Sequence, residues 1–254
     1  SKIYIYDKLK LENKIINNLN TKNIGKIDIV VIATTAKGRF NLIKRVNSKF
    51  NPKFWIIEKF LETNLTNTNK IKNELKNKIA YINLPKRGMK IYKRIKNILK
   101  EKKDVNIKMI GNNWNMASNS VHFIDLIKWM FNTKLLRLKF NKLKKIKSKR
   151  YGYFEIIGVI ELLFNKNIRL KLENNFTEKE RIIKFRTKSN NIDYNYNNQY
   201  LITKNKKINI PEEYISKFTN LVIKDIIKNK RTKRLPTLNS HIEDCNLFIK
   251  KSNL

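Results

Sequence analysis

The sequence contains a single cysteine, Cys245, among 254 residues. One thiol cannot form an internal disulfide framework, and the lack of such a framework fits a reducing compartment. The chain opens with no secretory signal pattern, and no apolar run is long enough to cross a bilayer. We therefore expect a soluble, cytoplasmic protein with no membrane partner, in which Cys245 is a packed thiol on a helix.

Acidic residues are also scarce, because 20 Asp and Glu stand against 57 Lys and Arg, a formal net charge of +37. A charge of this sign suggests nucleic acid or an anionic surface as a partner. The lysines are spread evenly, however, and no zinc-finger spacing or aromatic RNA-binding stretch accompanies the densest clusters, 142–150 and 228–234. A solvated basic surface is the favoured interpretation, and nucleic-acid binding stays as a remote alternative.

Metal ligands are few as well. The chain has two histidines, His122 and His241, and no second His or Cys stands at the spacing that a metal site uses. We predict no metal site.

The first 84 residues alternate apolar runs with helical patterns. The apolar runs are "IDIVVIATT" (27–35), "FWIIEKF" (54–60) and "IAYINLP" (79–85), and apolar residues at helical spacing separate them. The first run is continuous enough to predict a strand buried on both faces. Strand, helix, strand, helix, strand predicts an α/β arrangement with a parallel sheet and crossover helices.

From about Pro85 the pattern changes to an amphipathic helix, a strand, an apolar helix and a series of alternating segments. Alternation predicts a largely antiparallel, open sheet with one buried face, and Asn165, Lys166 and Asn167 between two segments predict a hairpin turn. Two helical segments close the chain. The predicted architecture is α/β followed by α+β.

Polar residues follow the predicted parallel strands. Ligands of open α/β sheets bind outside the carboxyl ends of the strands, where Thr34, Thr35, Glu58 and Lys59 stand. Asp7 ends an earlier short apolar run, where an acid can accept hydrogen bonds from a ribose hydroxyl. A solvated strand end is the alternative for each of these residues, and for Asp7 it is an equally good interpretation.

A second candidate lies in the apolar helix of the later region. His122 opens its apolar stretch, and Asp125 stands three residues later, near the same helix face. A histidine beside a carboxylate can carry a proton near neutral pH. A buried histidine that is satisfied by its neighbour is the alternative, and it fits this segment at least as well.

Taken in order, these segments resemble the glucose–fructose oxidoreductase and inositol dehydrogenase (Gfo/Idh/MocA) family. "IDIVVIATTAKGRFNLIKRV" resembles the family's fourth strand and the helix after it, and "WIIEKF" resembles its Glu-Lys-Pro strand end. "NSVHFIDLIKWM" is similar to its histidine-bearing helix. The resemblance implies a Rossmann-like dinucleotide-binding domain at 1–84, incomplete at its N-terminus. It also implies an α+β substrate and oligomerisation domain at 85–254, with the C-terminal helix packing back near the first domain.

The function that the resemblance implies is an NAD- or NADP-dependent oxidoreductase. It would transfer a hydride between the nicotinamide and a sugar, cyclitol or nucleotide-linked sugar, and it would assemble as a homo-oligomer through the C-terminal sheet. Lys59 would stabilise the charge on the reacting oxygen, and His122 would shuttle the proton with Asp125 beside it. The implied cofactor-binding residues are Asp7, Ala33, Thr34, Thr35, Glu58 and Lys59, and the implied substrate-binding residues are Arg87, Asn119 and His122.

Three departures separate this sequence from the family pattern. The sequence has no G-x-G-x-x-G turn, Phe60 stands where the family has proline, and Ser118 stands where it has an aspartate four residues before the histidine. The missing turn would normally hold the pyrophosphate, so dinucleotide affinity should fall. We expect a reading frame truncated upstream of Ser1. The alternative is a non-catalytic relative that binds sugar or acts as a scaffold.

Overall fold

The computed structural model describes residues 5–6, 15–16, 24–148, 152–204, 206–211, 213 and 215–252. The chain divides into two compact units, Ser1–Tyr81 and Ile82–Leu254. The division falls three residues before the boundary expected from the sequence, 84/85.

The first unit contains a parallel three-stranded sheet with helices in its crossovers. The middle strand is the most buried of the three, as expected for a strand with neighbours on both edges. A separate short pair of parallel strands precedes this sheet. The elements of this unit, in chain order, are β1 (Ile5–Tyr6), β2 (Ile15–Ile16), β3 (Ile29–Ile32), α1 (Arg39–Phe50), β4 (Phe54–Ile57), α2 (Leu65–Glu74) and β5 (Ile79–Ile82).

Strand β4 lies between β3 and β5, and all four of its side chains are buried. Strand β3 pairs with β4 in parallel, and the ladder continues one residue beyond β4, where the Glu58 N–H donates to the Ile32 carbonyl at 2.9 Å. The prediction of burial on both faces is wrong for β3, because 49% of Val31 is exposed. The described residues leave the Val31 face of this strand partly uncovered.

The second unit is built on an eight-stranded sheet, with four helices described in the same unit. The elements are α3 (Lys90–Ile98), β6 (Asn106–Asn112), α4 (Met116–Phe131), β7 (Leu135–Lys147), β8 (Phe154–Phe164), β9 (Ile168–Asn175), β10 (Ile182–Arg186), β11 (Asn191–Asn195), β12 (Tyr200–Thr203), β13 (Lys206–Asn209), α5 (Ile215–Asn229) and α6 (Leu238–Ser252). The strand order in the sheet is β13-β12-β11-β10-β6-β9-β8-β7. Every neighbouring pair of strands is antiparallel except β6 and β9, which are parallel. The predicted fold class is therefore confirmed.

Alternating side chains give this sheet one buried face. In β9, Ile168, Leu170 and Leu172 are buried and the residues between them are not, so the period-two pattern of the sequence places the core on one side. The predicted hairpin is confirmed at the β8–β9 connection. Lys166 and Asn167 both take positive φ angles there, 62° and 53°. Helix α4 packs on β8 and β9, and α6 packs on β7.

Candidate functional site

In the first unit, the polar residues predicted to bind a ligand do lie at the carboxyl ends of β3 and β4. Ala33, Thr34 and Thr35 follow β3 and are exposed, whereas Glu58 and Lys59 follow β4 and are half-buried. Because β3 and β4 are paired parallel neighbours, these two groups of residues lie at the same edge of the sheet, where the strands have their carboxyl ends. Asp7, the predicted ribose ligand, lies outside the described residues.

A buried arginine ties the two strand ends together. Arg39, the first residue of α1, is 2% exposed. Its Nη1 donates to the Glu58 carbonyl at 2.6 Å and to the Phe60 carbonyl, and its Nη2 donates to the Thr34 carbonyl. The planar guanidinium holds five donors in a rigid fork, so it can reach acceptors that lie farther apart than a single lysine nitrogen can serve. Arg39 therefore positions the backbone on both sides of Lys59.

The start of α1 is held by a second buried charge. Glu62 is 2% exposed, and its carboxylate accepts from the backbone N–H of Phe40 at 2.9 Å and of Thr63 at 3.1 Å. A carboxylate at a helix N-terminus satisfies N–H groups that have no partner within the helix. Sequence reasoning missed both Arg39 and Glu62, because each is a single charged residue in a polar stretch and only tertiary contacts bury it.

The second unit contains the remaining predicted residues, most of them on α4. His122 and Asn119 are half-buried and Asp125 is buried. The Asn119 amide donates to the Trp114 carbonyl at 2.8 Å, and the Ser118 hydroxyl donates to the Asn115 carbonyl at 3.3 Å. Both side chains thus contribute to holding the first turn of α4 in place.

Arg87 and Asp125, predicted separately as substrate-binding and catalytic residues, form an ion pair. Arg87 Nε donates to Asp125 Oδ2 at 3.0 Å, and Arg87 Nη2 donates to Oδ1. The side chains of Arg87 and Asp125 are only 14% and 5% exposed. Burial raises the pKa of Asp125, while the Arg87 guanidinium and the nearby Lys128 act in the opposite direction. The pair joins the segment that enters the second unit to the helix that carries His122.

Lys86, the residue before Arg87, is also enclosed. Its ammonium lies over three aromatic rings, 4.7 Å from the centroid of Phe123, 5.1 Å from that of Tyr196 and 5.5 Å from that of Tyr92. Each cation–π contact of this kind is worth about 0.5–2 kcal/mol, depending on desolvation. Two consecutive cations therefore hold the Pro85–Gly88 turn against α3 and α4.

A second buried ion pair links α4 to α6. Lys128 Nζ lies 2.9 Å from each carboxylate oxygen of Asp244, and the two side chains are 14% and 8% exposed. Burial raises the pKa of Asp244 to about 6, although the Lys128 ammonium acts against this shift. The neighbouring acids Asp125 and Glu243 add to the rise.

The raised pKa of Asp244 predicts a pH-dependent stability. Because the folded-state pKa exceeds the usual value of 3.8, the folded protein holds this proton more tightly than the unfolded chain does. This contribution is present below about pH 4 and is lost as pH rises through about 6, which amounts to about 3 kcal/mol. We expect Asp244→Asn to reduce the change in unfolding free energy between about pH 4 and pH 6, as measured by urea unfolding at each pH. The same slope in the variant and in the unmodified protein would contradict the assignment.

No metal cluster and no membrane-spanning helix occurs in the part of the chain that the structure describes. No group of three or more His, Cys, Asp or Glu there is arranged so that it could hold a metal ion. No helix among those residues has the length and apolar character to cross a membrane.

The predicted packing of Cys245 is confirmed. The thiol is buried on α6 with its Sγ 2.9 Å from His241 Nε2, and burial raises its pKa well above the usual value.

Comparison of the sequence with known proteins finds no match, either to a protein-family model or to a curated protein. Comparison of the structure does find similar folds. One is the UDP-N-acetylglucosamine 3-dehydrogenase GnnA from Acidithiobacillus ferrooxidans, with a TM-score of 0.68 and 10% identity over 88% of this chain and 77% of that one. Another is a super-repressor mutant of Gal80p from Saccharomyces cerevisiae, with a TM-score of 0.68 and 14% identity over 89% and 78%.

A third similar structure is biliverdin reductase from Synechocystis sp., solved in complex with biliverdin and NADP+. It has a TM-score of 0.69 and 12% identity over 91% of this chain and 80% of that one. At such low identity the likeness shows the fold and not the activity. The three proteins also differ in what they do, since one is a dehydrogenase, one a reductase and one a repressor.

Proposed function

The chain has the fold of the Gfo/Idh/MocA oxidoreductases, and from that fold we propose that it is an NAD(P)-dependent oxidoreductase. Its substrate is a sugar, a cyclitol or a nucleotide-linked sugar. The observation that carries the proposal is the buried Arg39, which orders the carboxyl ends of β3 and β4 around Lys59. In open α/β sheets that edge is where ligands bind. A nucleotide-sugar dehydrogenase and an NADP+ complex among the similar structures support the same function.

In this proposal the nicotinamide supplies the hydride chemistry, and the residues of the chain bind and orient. Lys59 donates a hydrogen bond to the reacting oxygen of the substrate and stabilises its developing negative charge. His122 accepts or returns the hydroxyl proton, and Asn119 contributes to binding the sugar. The residues assigned to the cofactor are Asp7, Ala33, Thr34, Thr35 and Glu58.

Arg87 and Asp125 take a shared role in this scheme. The Asp125 carboxylate accepts from Arg87 through both oxygens, and the pair is buried. We therefore assign both as positioning residues that fix α4, and through it His122, and we do not place them in contact with substrate.

The fit of a dinucleotide to these residues is partial. The strand ends offer exposed threonines and a half-buried lysine to the nicotinamide and ribose, as the proposal requires. The sequence has no G-x-G-x-x-G turn to hold a pyrophosphate, and at α1 the Phe40 N–H already donates to Glu62. We therefore assign no residue in the described part of the chain to the pyrophosphate.

Lys59→Ala tests the catalytic assignment. We expect it to lower kcat by about 100- to 1,000-fold, the usual cost of removing a donor that stabilises a developing oxyanion, with little change in folding. The measurement is oxidation of NADPH or NADH with a panel of sugars and nucleotide-linked sugars. Lys76→Ala is the matched control, because Lys76 is an exposed lysine of the same unit. Turnover in Lys59→Ala equal to that of the control would refute the role of Lys59.

A second candidate function is a non-catalytic relative that binds sugar or acts as a scaffold. Ser118 stands where the family has an aspartate, and Asp125, the acid nearest along the helix, is engaged by Arg87. A hydroxyl cannot tune a histidine as a carboxylate can. Saturable sugar binding with no turnover at any concentration of either cofactor would establish this function in place of the first.

A further inference from the structure

The eight-stranded sheet carries a cavity of about 800 Å³ whose lining includes none of the residues assigned above. Its lining comes from β6, β7, β8, β9 and β10 and from Asn167 in the β8–β9 turn. Seven of its fourteen lining residues are lysine or arginine, and one, Glu161, is acidic. The whole chain is basic, so an excess of basic over acidic lining residues does not by itself distinguish this cavity. The regular arrangement of its basic residues does distinguish it.

The basic side chains form two rows that follow the strand register. One row runs across the sheet through Arg137, Leu163, Arg169, Asn106 and Arg186, each paired with the next. The other row lies two residues along the strands and therefore projects from the same face. Neighbouring strands are about 4.8 Å apart and the rows about 7 Å apart. The second row consists of Lys139, Glu161, Lys171, Lys108 and Lys184.

Three of these seven cations have acidic partners. The ammonium groups of Lys108 and Lys171 lie 3.1 and 3.4 Å from Glu173 Oε2. The guanidinium of Arg186 pairs with Asp193. The bonds from Lys108 and Lys171 lower the pKa of Glu173 against the effect of its burial, so this acid is ionised at neutral pH.

The other four cations are in no ion pair within the part of the chain that the structure describes; they are Arg137, Lys139, Arg169 and Lys184. Arg137, Lys139 and Arg169 are exposed and Lys184 is half-buried. Glu161, the register partner of Lys139, offsets one of these four charges, and the four cations are spread over four strand spacings, about 19 Å. The face therefore keeps an excess of positive charge, which a bound anion would reduce. Several negative charges are needed to balance the set.

We propose that this cavity binds a multiply phosphorylated small molecule. Phosphate oxygens accept bidentate bonds from arginine and charge-assisted bonds from lysine, the two residue types in the rows. The cavity volume lies within the usual range for small-ligand sites, about 300–1,000 Å³. No aromatic side chain is among its lining residues, so it lacks the stacking platforms of single-strand nucleic-acid sites.

A second copy of the chain fits this basic face less well than a phosphorylated ligand does. A two-fold interface would bring the same basic face of each subunit together, and like charges in contact are costly. The homo-oligomer through this sheet stays a prediction from the family resemblance. This inference does not depend on the proposed oxidoreductase activity.

Calorimetric titration with inorganic tripolyphosphate tests the proposal. We expect saturable binding at one site per chain. The double variant Lys139→Ala/Lys184→Ala should weaken it by on the order of 30- to 100-fold, because each lost charge-assisted contact costs about tenfold. Lys228→Ala/Lys233→Ala removes the same charge from exposed lysines outside the cavity, and it should change the affinity by less than about threefold. Thermal unfolding of all three proteins checks that they are folded.

Other outcomes would overturn the proposal. Equal weakening by both double variants would mean that tripolyphosphate responds only to net charge, and the absence of saturable binding would mean that no phosphate site exists. Duplex DNA that binds more tightly than tripolyphosphate, and loses that affinity in Lys139→Ala/Lys184→Ala but not in the control, would assign the face to nucleic acid instead.

Discussion

Arg39→Ala is expected to destabilise the first unit by on the order of 3–5 kcal/mol, because buried carbonyl groups at two strand ends lose a charged donor together. Arg39 is 2% exposed and donates to the carbonyl groups of Thr34, Glu58, Phe60 and Leu61. Its loss separates the loops that follow β3 and β4. Hydrogen exchange followed by mass spectrometry should show faster exchange across residues 24–81, which isolates the effect from the second unit.

Two companion variants sharpen this test. Arg39→Lys keeps the charge but not the planar fork, so it should recover part of the lost stability and not all of it. Lys44→Ala, an exposed position on the same helix, should stay within about 0.5 kcal/mol of the unmodified protein. If Arg39→Ala exchanges no faster than Lys44→Ala, then the strand ends are held by something other than this arginine. NADPH binding should weaken in Arg39→Ala and not in Lys44→Ala.

Arg87→Ala is expected to cost about 3–5 kcal/mol of unfolding free energy, because it leaves the carboxylate of Asp125 buried without its partner. The Asp125 side chain is 5% exposed, and it accepts from Arg87 through both oxygens. Urea unfolding is the measurement. Arg231→Ala is the control, since it removes an exposed arginine of the same unit that lies outside the basic cavity.

The double variant Arg87→Met/Asp125→Leu distinguishes a structural pair from a substrate site. Replacing both charges by apolar side chains of similar size removes the unpaired carboxylate, so the double variant should be more stable than Arg87→Ala. In these variants, sugar binding should fall only to the extent that the fraction of folded protein falls. A stable Arg87→Ala protein that has lost sugar binding would contradict the positioning role and would indicate that Arg87 contacts the substrate.

Much of the fold could be predicted from local patterns. Apolar residues at a spacing of two or of 3.6 specify strand or helix within a few residues, and the order of the elements then restricts the topology. For this reason "FWIIEKF" was assigned to a parallel strand, with Glu58 and Lys59 at its end, and the alternating segments after residue 134 were assigned to the antiparallel sheet. The hairpin at Asn165–Asn167 was predictable because these turn residues separate two alternating segments.

The candidate site could be predicted only in part. The sequence placed Thr34 and Lys59 at the ends of neighbouring strands, but nothing local identified Arg39 as the residue that joins those ends. It placed His122 and Asp125 on one helix, but it could not show that Arg87, 38 residues away, binds Asp125. The strand that contains Val31 was expected to be buried on both faces, yet 49% of Val31 is exposed. The periodicity of a sequence cannot tell which faces of a strand other elements will cover.

The sequence alone therefore determined the type and order of the elements, the basic character of the chain and the strand end that presents Lys59. Each depends on composition or on contacts between residues close along the chain. Only the tertiary structure decided which charges are buried and paired, and which remain unpaired in register on one face of a sheet. Those properties depend on residues that lie far apart in sequence, such as Lys139 and Lys184, which come to one face of the sheet only when β6 to β10 assemble.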